Sequence, residues 1–337
     1  MQNGVLQPGV GEIRAPHYLP ADPSAVLWGR LPCAADSVVL TIDAGDEVTI
    51  DTISHGGIHE DQGRDLPAFF GAFGVEPDTV LTDALALASS EYRRDPAIDG
   101  PHVVTGPVWI RGARPGDLLK ITVLETLQRV PYGIVSNRHD RGSLPGEYPV
   151  DGERVSVFAG VEAGRGTMPR VHGGEHSIRF PLAPFLGIIG VAVAGDEHPH
   201  SVPPGPHGGN IDINLLTVGS AIYPPVQAEG ALADVGDPHF AQGDGEVALT
   251  AMEASLCATL RFDVLTQQDA LEAFGPLVET TEYLVPTGMD EDLDEAVRRA
   301  CAPRSPCCRP DSPSTPHTRM RISARRRTSI FRRSWIS

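Results

Sequence analysis

The chain has 337 residues, 41% of them hydrophobic, enough for one large domain or two ordinary ones with a substantial core. Its longest apolar stretch, Leu182–Ala194, is broken by Pro184, Gly187 and Gly190 and is too short to cross a bilayer; Met1–Pro20 lacks a basic start followed by an apolar run, so a cytoplasmic protein is expected. The net charge of −17 is uneven: residues 301–337 hold nine arginines against one acid, Asp311, so residues 1–300 carry about −25 and would repel nucleic-acid phosphates rather than bind them.

With 36 glycines and 31 prolines punctuating short apolar runs, the pattern predicts many short strands joined by tight turns. In chain order the strands are expected at Val38–Ile42, Glu47–Ile53, Val103–Ile110, Leu118–Leu124, Val155–Phe158, Ile178–Pro181, Gly187–Val193, Ser220–Val226, Glu246–Ala251 and Ala258–Val264. Helical patterns are few: Asp78–Ala88, Gln267–Phe274 and Asp290–Ala300, the last acidic in its first turn and basic at its end. Gly133–Asp151 reads as a surface loop. The fold class that follows is mainly β, a β-rich α+β fold of sandwich- or barrel-like subdomains with a few peripheral helices. Two β subdomains would meet near residues 130–180.

Chemistry concentrates between His207 and Val247, where two histidines, six carboxylates and two asparagines are threaded among glycines. On an extended strand Asn210, Asp212 and Asn214 would face one way and Ile211 and Ile213 the other, lining one wall with oxygen ligands. His207 sits just before this wall. The segment Gly236–Glu246, read as a loop entering a strand, adds Asp237, His239, Asp244 and Glu246, with Glu229 upstream. Imidazoles mixed with carboxylates suit zinc, and the extra carboxylates suit calcium. Each half also has a bland reading, as a strand edge with Asx turns or as a solvated acidic hairpin.

Beyond this region, His102 before a strand is a candidate ligand or general base, although a single histidine in that position is more often structural. The run His55–Asp61, with His59 inside it, ranks lower because nothing in the sequence ties it to the first cluster. His172–His176 and Glu197–His200 are similar histidine-rich runs. Lys120 is the only lysine and lies in an ordinary strand pattern, which sets aside the Ser-Ser-Lys and Cys-Glu-Lys hydrolytic mechanisms. No Gly-x-Ser-x-Gly elbow and no nucleotide fingerprint is present. Only Cys33 and Cys257 fall in the first 300 residues, which argues against a disulfide framework or a cysteine-rich zinc module.

The run HGGNID, followed by LTVGSAIYPPVQAEGALADVGDPHFAQGDGEV, resembles the signature region of the acetamidase/formamidase family. Leu40–Asp46, His102–Val108, Gly112–Asp117 and Gly187–Ala192 extend the resemblance, which spans residues 10–300. It implies a β-rich catalytic domain over residues 1–300 that hydrolyses short amides such as formamide and acetamide to ammonia and the carboxylate. The residues fit a metal-activated water as nucleophile, with zinc and/or calcium as the divalent ion. Asp212, His239, Asp244, His102, His207 and Asp237 form the expected ligand pool, and Glu246, Glu229 or His102 the proton-moving group. The expected partner is a small amide, with no nucleic acid and no membrane, in a homo-oligomer. Two alternatives stay open: hydrolysis of another small or cyclic amide at the same site, and a non-catalytic calcium- or carbohydrate-binding β protein.

Past Ala300 the resemblance stops. Residues 301–337, with Cys301, Cys307, Cys308 and the arginines, read as a disordered basic tail produced by a translational frameshift.

Overall fold

Strand Glu47–Asp51 shows how the first sheet is built. Val48 and Ile50 are buried, and the strand pairs antiparallel with Leu256–Leu265, which sets Glu47 against Arg261 and Thr49 against Thr259, their hydroxyl oxygens 3.0 Å apart. In spatial order this sheet runs His17–Leu19, Glu47–Asp51, Leu256–Leu265, Leu118–Gln128, Ala221–Tyr223, Leu277–Glu279 and Leu284–Pro286. A second sheet runs Ser177–Pro181, Arg165–Pro169, Arg154–Glu162, Tyr132–Arg138, Met252–Glu253, Ala233–Ala241, Phe185–Val191 and Gly208–Asn210. Val103–Arg111 branches from Ala233–Ala241 and carries Val26–Trp28 and Leu40–Asp43. These elements belong to a computed structural model that describes residues 4–92, 94–152, 154–171, 174–266 and 276–301.

The architecture is mainly β, as expected. One apolar cluster is shared by the two sheets: Val48, Ile50, Ile121, Val123, Leu260 and Phe262 from the first join Ile42, Val108, Ile110, Ile189 and Val235 from the second. Among the described residues no helix is long and apolar enough to cross a membrane.

Several elements differ from the sequence reading for identifiable reasons. Tyr132–Arg138, expected to be loop, pairs over its length with Arg154–Glu162 because Tyr132, Ile134 and Ser136 are buried at alternate positions; the loop begins only at His139. Glu246–Ala251 is not a strand. It is a run of turns in which Glu246 and Leu249 both take positive φ, and the strand that follows is Met252–Glu253. The helix expected at Asp78–Ala88 starts at Thr82, after a separate 3-10 turn at Pro77–Thr79. The helix expected from Asp290 runs Leu293–Cys301, because the Asp292 carboxylate accepts the backbone N–H groups of Asp294 and Glu295 and so caps the helix there. The helix expected at Gln267–Phe274 and the tail from residue 302 lie outside the described residues.

The element that positions chemistry is Ala233–Ala241. One edge pairs with Phe185–Val191, from Val191 opposite Ala233 to Phe185 opposite His239. The other edge pairs first with Val103–Arg111, up to Gly236 opposite Val104, and then with Met252–Glu253, where His239 faces Glu253. Asp237 falls in the gap between these two partner strands, in a left-handed conformation at φ 50°. The sheet therefore opens at Asp237, and the open place is lined by charge.

Candidate active site

Four chain segments converge on that opening. His55 and His59 arrive from the turn after Glu47–Asp51, His102 stands immediately before Val103–Arg111, and Asp237 and His239 come from the interrupted strand. Glu253 is brought opposite His239 by the register of its short strand. His55, His59, His102, Asp212, Asp237, His239 and Glu253 are all buried.

The contacts are those of a donor set gathered around one space. His239 Nε2 lies 3.1 Å from Asp237 Oδ2 and 3.2 Å from Glu253 Oε1, while its Nδ1 lies 3.7 Å from Asp212 Oδ1. His55 Nδ1 is 3.3 Å from Asp237 Oδ1 and 3.7 Å from Glu253 Oε2, and His102 Nε2 is 3.9 Å from Asp237 Oδ2. Yet His55 Nδ1, both ring nitrogens of His239, Asp237 Oδ1 and Glu253 Oε2 are buried without a hydrogen-bond partner. Buried polar atoms are nearly always satisfied, so five unsatisfied ones in one cluster require an account.

Gly187 supplies the shape of that account. It lies on the neighbouring strand, and a Cβ placed on it would stand 2.6 Å from Asp237 Oδ2, 2.7 Å from His239 Cε1 and 2.8 Å from Asp212 Oδ1. Only glycine lets these side chains close on the strand here, because any Cβ would have to displace them. His55, His102 and Asp237 form one group whose ligand atoms all lie within 4.8 Å of one another; Asp212, His239 and Glu246 form a second, and Asp237, His239 and Glu253 a third. Buried imidazole nitrogens and carboxylate oxygens grouped this closely are a donor set that fits a divalent cation.

The electrostatics of the protein alone express the same tension. Burial would raise the Asp237 carboxyl, but His239 and His102 hold it well below the usual carboxylate range. Burial opposes charge on His239, and Glu253 with Asp237 carries it well above the ordinary imidazole value. His102 is pushed down to about 4, chiefly by burial, and His59 also falls well below its usual value through burial and the nearby His55. Burial, and then Asp212, raise Glu246 well above its usual value.

Orientation comes from neighbours outside the cluster. His102 Nδ1 is 3.0 Å from the hydroxyl of the fully buried Ser201. Gln242 Nε2 donates to Glu246 Oε1 at 2.7 Å and to Asp212 Oδ1 at 3.2 Å, holding the two carboxylates side by side. Asp212 and Glu246 both adopt positive φ, at 48° and 41°, and with Asp237 they make three site acids in a sparsely populated conformation. Each carries strain on the order of 1 kcal/mol, most for the longer Glu246, a cost that sites of this kind concentrate.

Of the residues expected from sequence, the structure brings together His102, Asp212, Asp237, His239 and Glu246. Three others lie apart. Glu229 is exposed, and Asp244 is exposed with its Oδ1 accepting from Asn214 Nδ2 at 3.0 Å. His207 is buried beside Gly205 and Gly209, pushed down to about 4 by burial and remote from any carboxylate group that could share a cation. The expected wall of Asn210, Asp212 and Asn214 does not form, since the strand ends at Asn210 and the chain turns at Asp212. The sequence reading gave His55 and His59 too little weight, and it passed over Glu253 and Gln242. A signal existed for the histidines, in the compact His55–Asp61 run, but none for Glu253, which is recruited by register alone.

The buried histidine–carboxylate cluster thus lies at a break in a sheet of a β-rich protein. The model of the Acetamidase/Formamidase family matches residues 88–198 and 192–291, and the chain belongs to that family. It is 29% identical over 207 residues to an acetamidase of Mycolicibacterium smegmatis, covering 46% of this chain and 51% of the relative. It is 27% identical over 199 residues to a formamidase of Methylophilus methylotrophus, covering 46% and 49%. The match thus spans about half the length of these curated relatives. The crystal structure of an acetamidase from Yersinia enterocolitica shares the fold, with a TM-score of 0.67 at 22% identity, covering 91% of this chain and 84% of that one.

Proposed function

We propose that the chain hydrolyses the C–N bond of short aliphatic amides, formamide and acetamide among them, to ammonia and the carboxylate, at a divalent ion held by the buried histidine–carboxylate cluster beside Gly187. The observation that carries this reading is the set of overlapping groups of buried imidazole and carboxylate ligand atoms, five of those atoms without a hydrogen-bond partner, in a member of an amidase family. His55, His102, Asp212, Asp237 and His239 would hold the ion, and three imidazoles among the donors favour the zinc class over calcium. When bound, such an ion polarises an amide carbonyl and lowers the pKa of an attacking water.

The chain's own groups supply the rest. Amide nitrogen leaves poorly, so a proton must reach it as the water oxygen bonds to carbon and the C–N bond breaks. Glu246 would make that transfer: the Gln242 amide donates to its Oε1, and Oε2 would take the proton from water and return it to nitrogen. Glu253 and Asp237 flank His239 and fix its ring. Phe185, edge-on to His239 with ring centroids 5.0 Å apart, packs an apolar face against that ring and excludes water from it.

The test is ammonia release from formamide, acetamide and longer amides by the full chain, with and without prior chelation, beside Glu246→Gln. The expected result is turnover of at least one short amide that falls on chelation and falls again, with the ion retained, in Glu246→Gln. No ammonia from any amide by metal-loaded protein would overturn the proposal.

A further inference from the structure

Away from this site, Cys33, Asp36 and His198 bring a thiol, a carboxylate and an imidazole together, with their ligand atoms all within 4.8 Å of one another. Two separate segments build the group. Cys33 is bridged to Val193, and the Ala34 N–H donates to the Val193 carbonyl at 2.9 Å, tying the first segment to the chain that leads to His198. The Asp36 carboxylate is shared: its Oδ2 accepts the Cys33 backbone N–H at 2.8 Å, and its Oδ1 faces His198 Nε2 at 2.7 Å. Cys33 is buried and unpaired, Asp36 is half-covered and His198 is exposed, so the group opens to solvent on one side.

A turn capped by Asp36 with a surface histidine beside it would account for those hydrogen bonds. It does not account for Asp234. This carboxylate is 2% exposed and its Oδ2 has no hydrogen-bond partner. It stands in register with Gly190, next to the Ala233–Val191 pair and a short step along the strand from the Cys33–Val193 bridge. The Val39 N–H donates to the Pro107 carbonyl at 3.1 Å, and Gly106, lacking a side chain, lets Asp234 approach, so the segment after Asp36 lies alongside it. Burial first, and then the Asp36 charge, raise the Asp234 carboxyl to about 7. The Asp36 charge is thus felt by a second, buried acid, and a cation beside Cys33, Asp36 and His198 would offset that negative charge.

We propose that Cys33, Asp36 and His198 form a second metal site, distinct from the histidine–carboxylate cluster beside Gly187, that takes a thiophilic divalent cation of the zinc class. Three protein ligands and an open, solvent-facing position describe an exchangeable site rather than a closed structural one. The thiol loses its proton to solvent as the cation binds, with no change in oxidation state. The inference is independent of the amidase reading, because it uses none of the same residues.

Cobalt(II) tests it directly. Added to the full-length chain, cobalt bound through sulfur gives a thiolate-to-metal charge-transfer band in the near ultraviolet, and the histidine–carboxylate cluster at Gly187 contains no thiol to produce one. The band is expected in the unaltered chain, is expected to vanish in Cys33→Ser, and should need at least about tenfold more cobalt in the surface variant His198→Ala. It should persist in a variant with Cys301, Cys307 and Cys308 all changed to serine. Absence of the band from the unaltered chain, or its survival in Cys33→Ser, would overturn the site. Should Cys33→Ser fail to fold, His198→Ala decides: an unshifted cobalt titration rejects the proposal.

Discussion

Two buried ionic clusters in this protein both contain carboxylates but differ in how those carboxylates are balanced. Around Arg129, fully buried, Asp83 Oδ2 accepts from Nη1 at 2.7 Å, the Leu6 and Thr52 carbonyls accept from Nε and Nη1, and Asp51 Oδ2 lies 3.6 Å from Nη2 and accepts from the Tyr18 hydroxyl at 2.5 Å. The cation is supplied by the chain, and both carboxylates have partners. Beside Gly187 imidazoles and carboxylates are buried together, and His55 Nδ1, both His239 ring nitrogens, Asp237 Oδ1 and Glu253 Oε2 have no hydrogen-bond partner. Burying a charge is tolerable when it is paired and hydrogen-bonded. The first cluster comes close to that condition from within, leaving only Arg129 Nη2 without a hydrogen bond; the second leaves five atoms unsatisfied, and it is the one we propose to be functional.

The largest effect is expected where a Cβ would push the cluster apart. Gly187→Ala displaces Asp237, His239 and Asp212 and is expected to abolish ion binding and lower amide turnover by at least about 10^3-fold, beyond the 10–100-fold that groups merely orienting a ligand contribute. Thermal unfolding of the ion-free protein should show a loss of about 1–3 kcal/mol from the overlap. Asp237→Asn should match it in turnover. At Arg129 the prediction reverses: Arg129→Met leaves Asp51 and Asp83 buried without their cation and should reduce stability by about 3–5 kcal/mol in urea unfolding. Ion content per folded molecule should stay the same. Between these extremes, Gln242→Leu releases Asp212 and Glu246 from their shared amide and should weaken ion affinity about 10–100-fold in chelator competition, with global stability little altered. Smallest of all, Glu229→Ala and Asp244→Ala change exposed acids, and both turnover and stability should stay within about twofold and 0.5 kcal/mol.

The same contrast explains what could be read from sequence. Apolar runs such as Val103–Ile110 and Ala258–Val264 revealed themselves because burial is written in their side chains. The strand Ala233–Ala241 did not, since Asp234, Gly236, Asp237, Pro238 and His239 look like a loop until the cluster beside them is known. Glu246–Ala251 misled in the opposite direction, because its valine and leucine suggest a strand while two positive φ angles make it turn. Five of the eight candidate site residues fall in one cluster, because the strand that carries Asp237 and His239 lies next to the segments that carry His102, Asp212 and Glu246. Glu253 was invisible, since its place depends on pairing across a break in a sheet, and Gly187 looked like one more glycine in an apolar strand.

The central claim is that the unsatisfied cluster around Gly187 exists to hold a catalytic divalent ion. Ammonia release from formamide by the full chain, measured after chelation and again after zinc is returned, tests it most directly. The account predicts that turnover is lost and then restored in the unaltered chain, with no restoration in Gly187→Ala. Equal turnover before and after chelation, by protein free of metal, would contradict it.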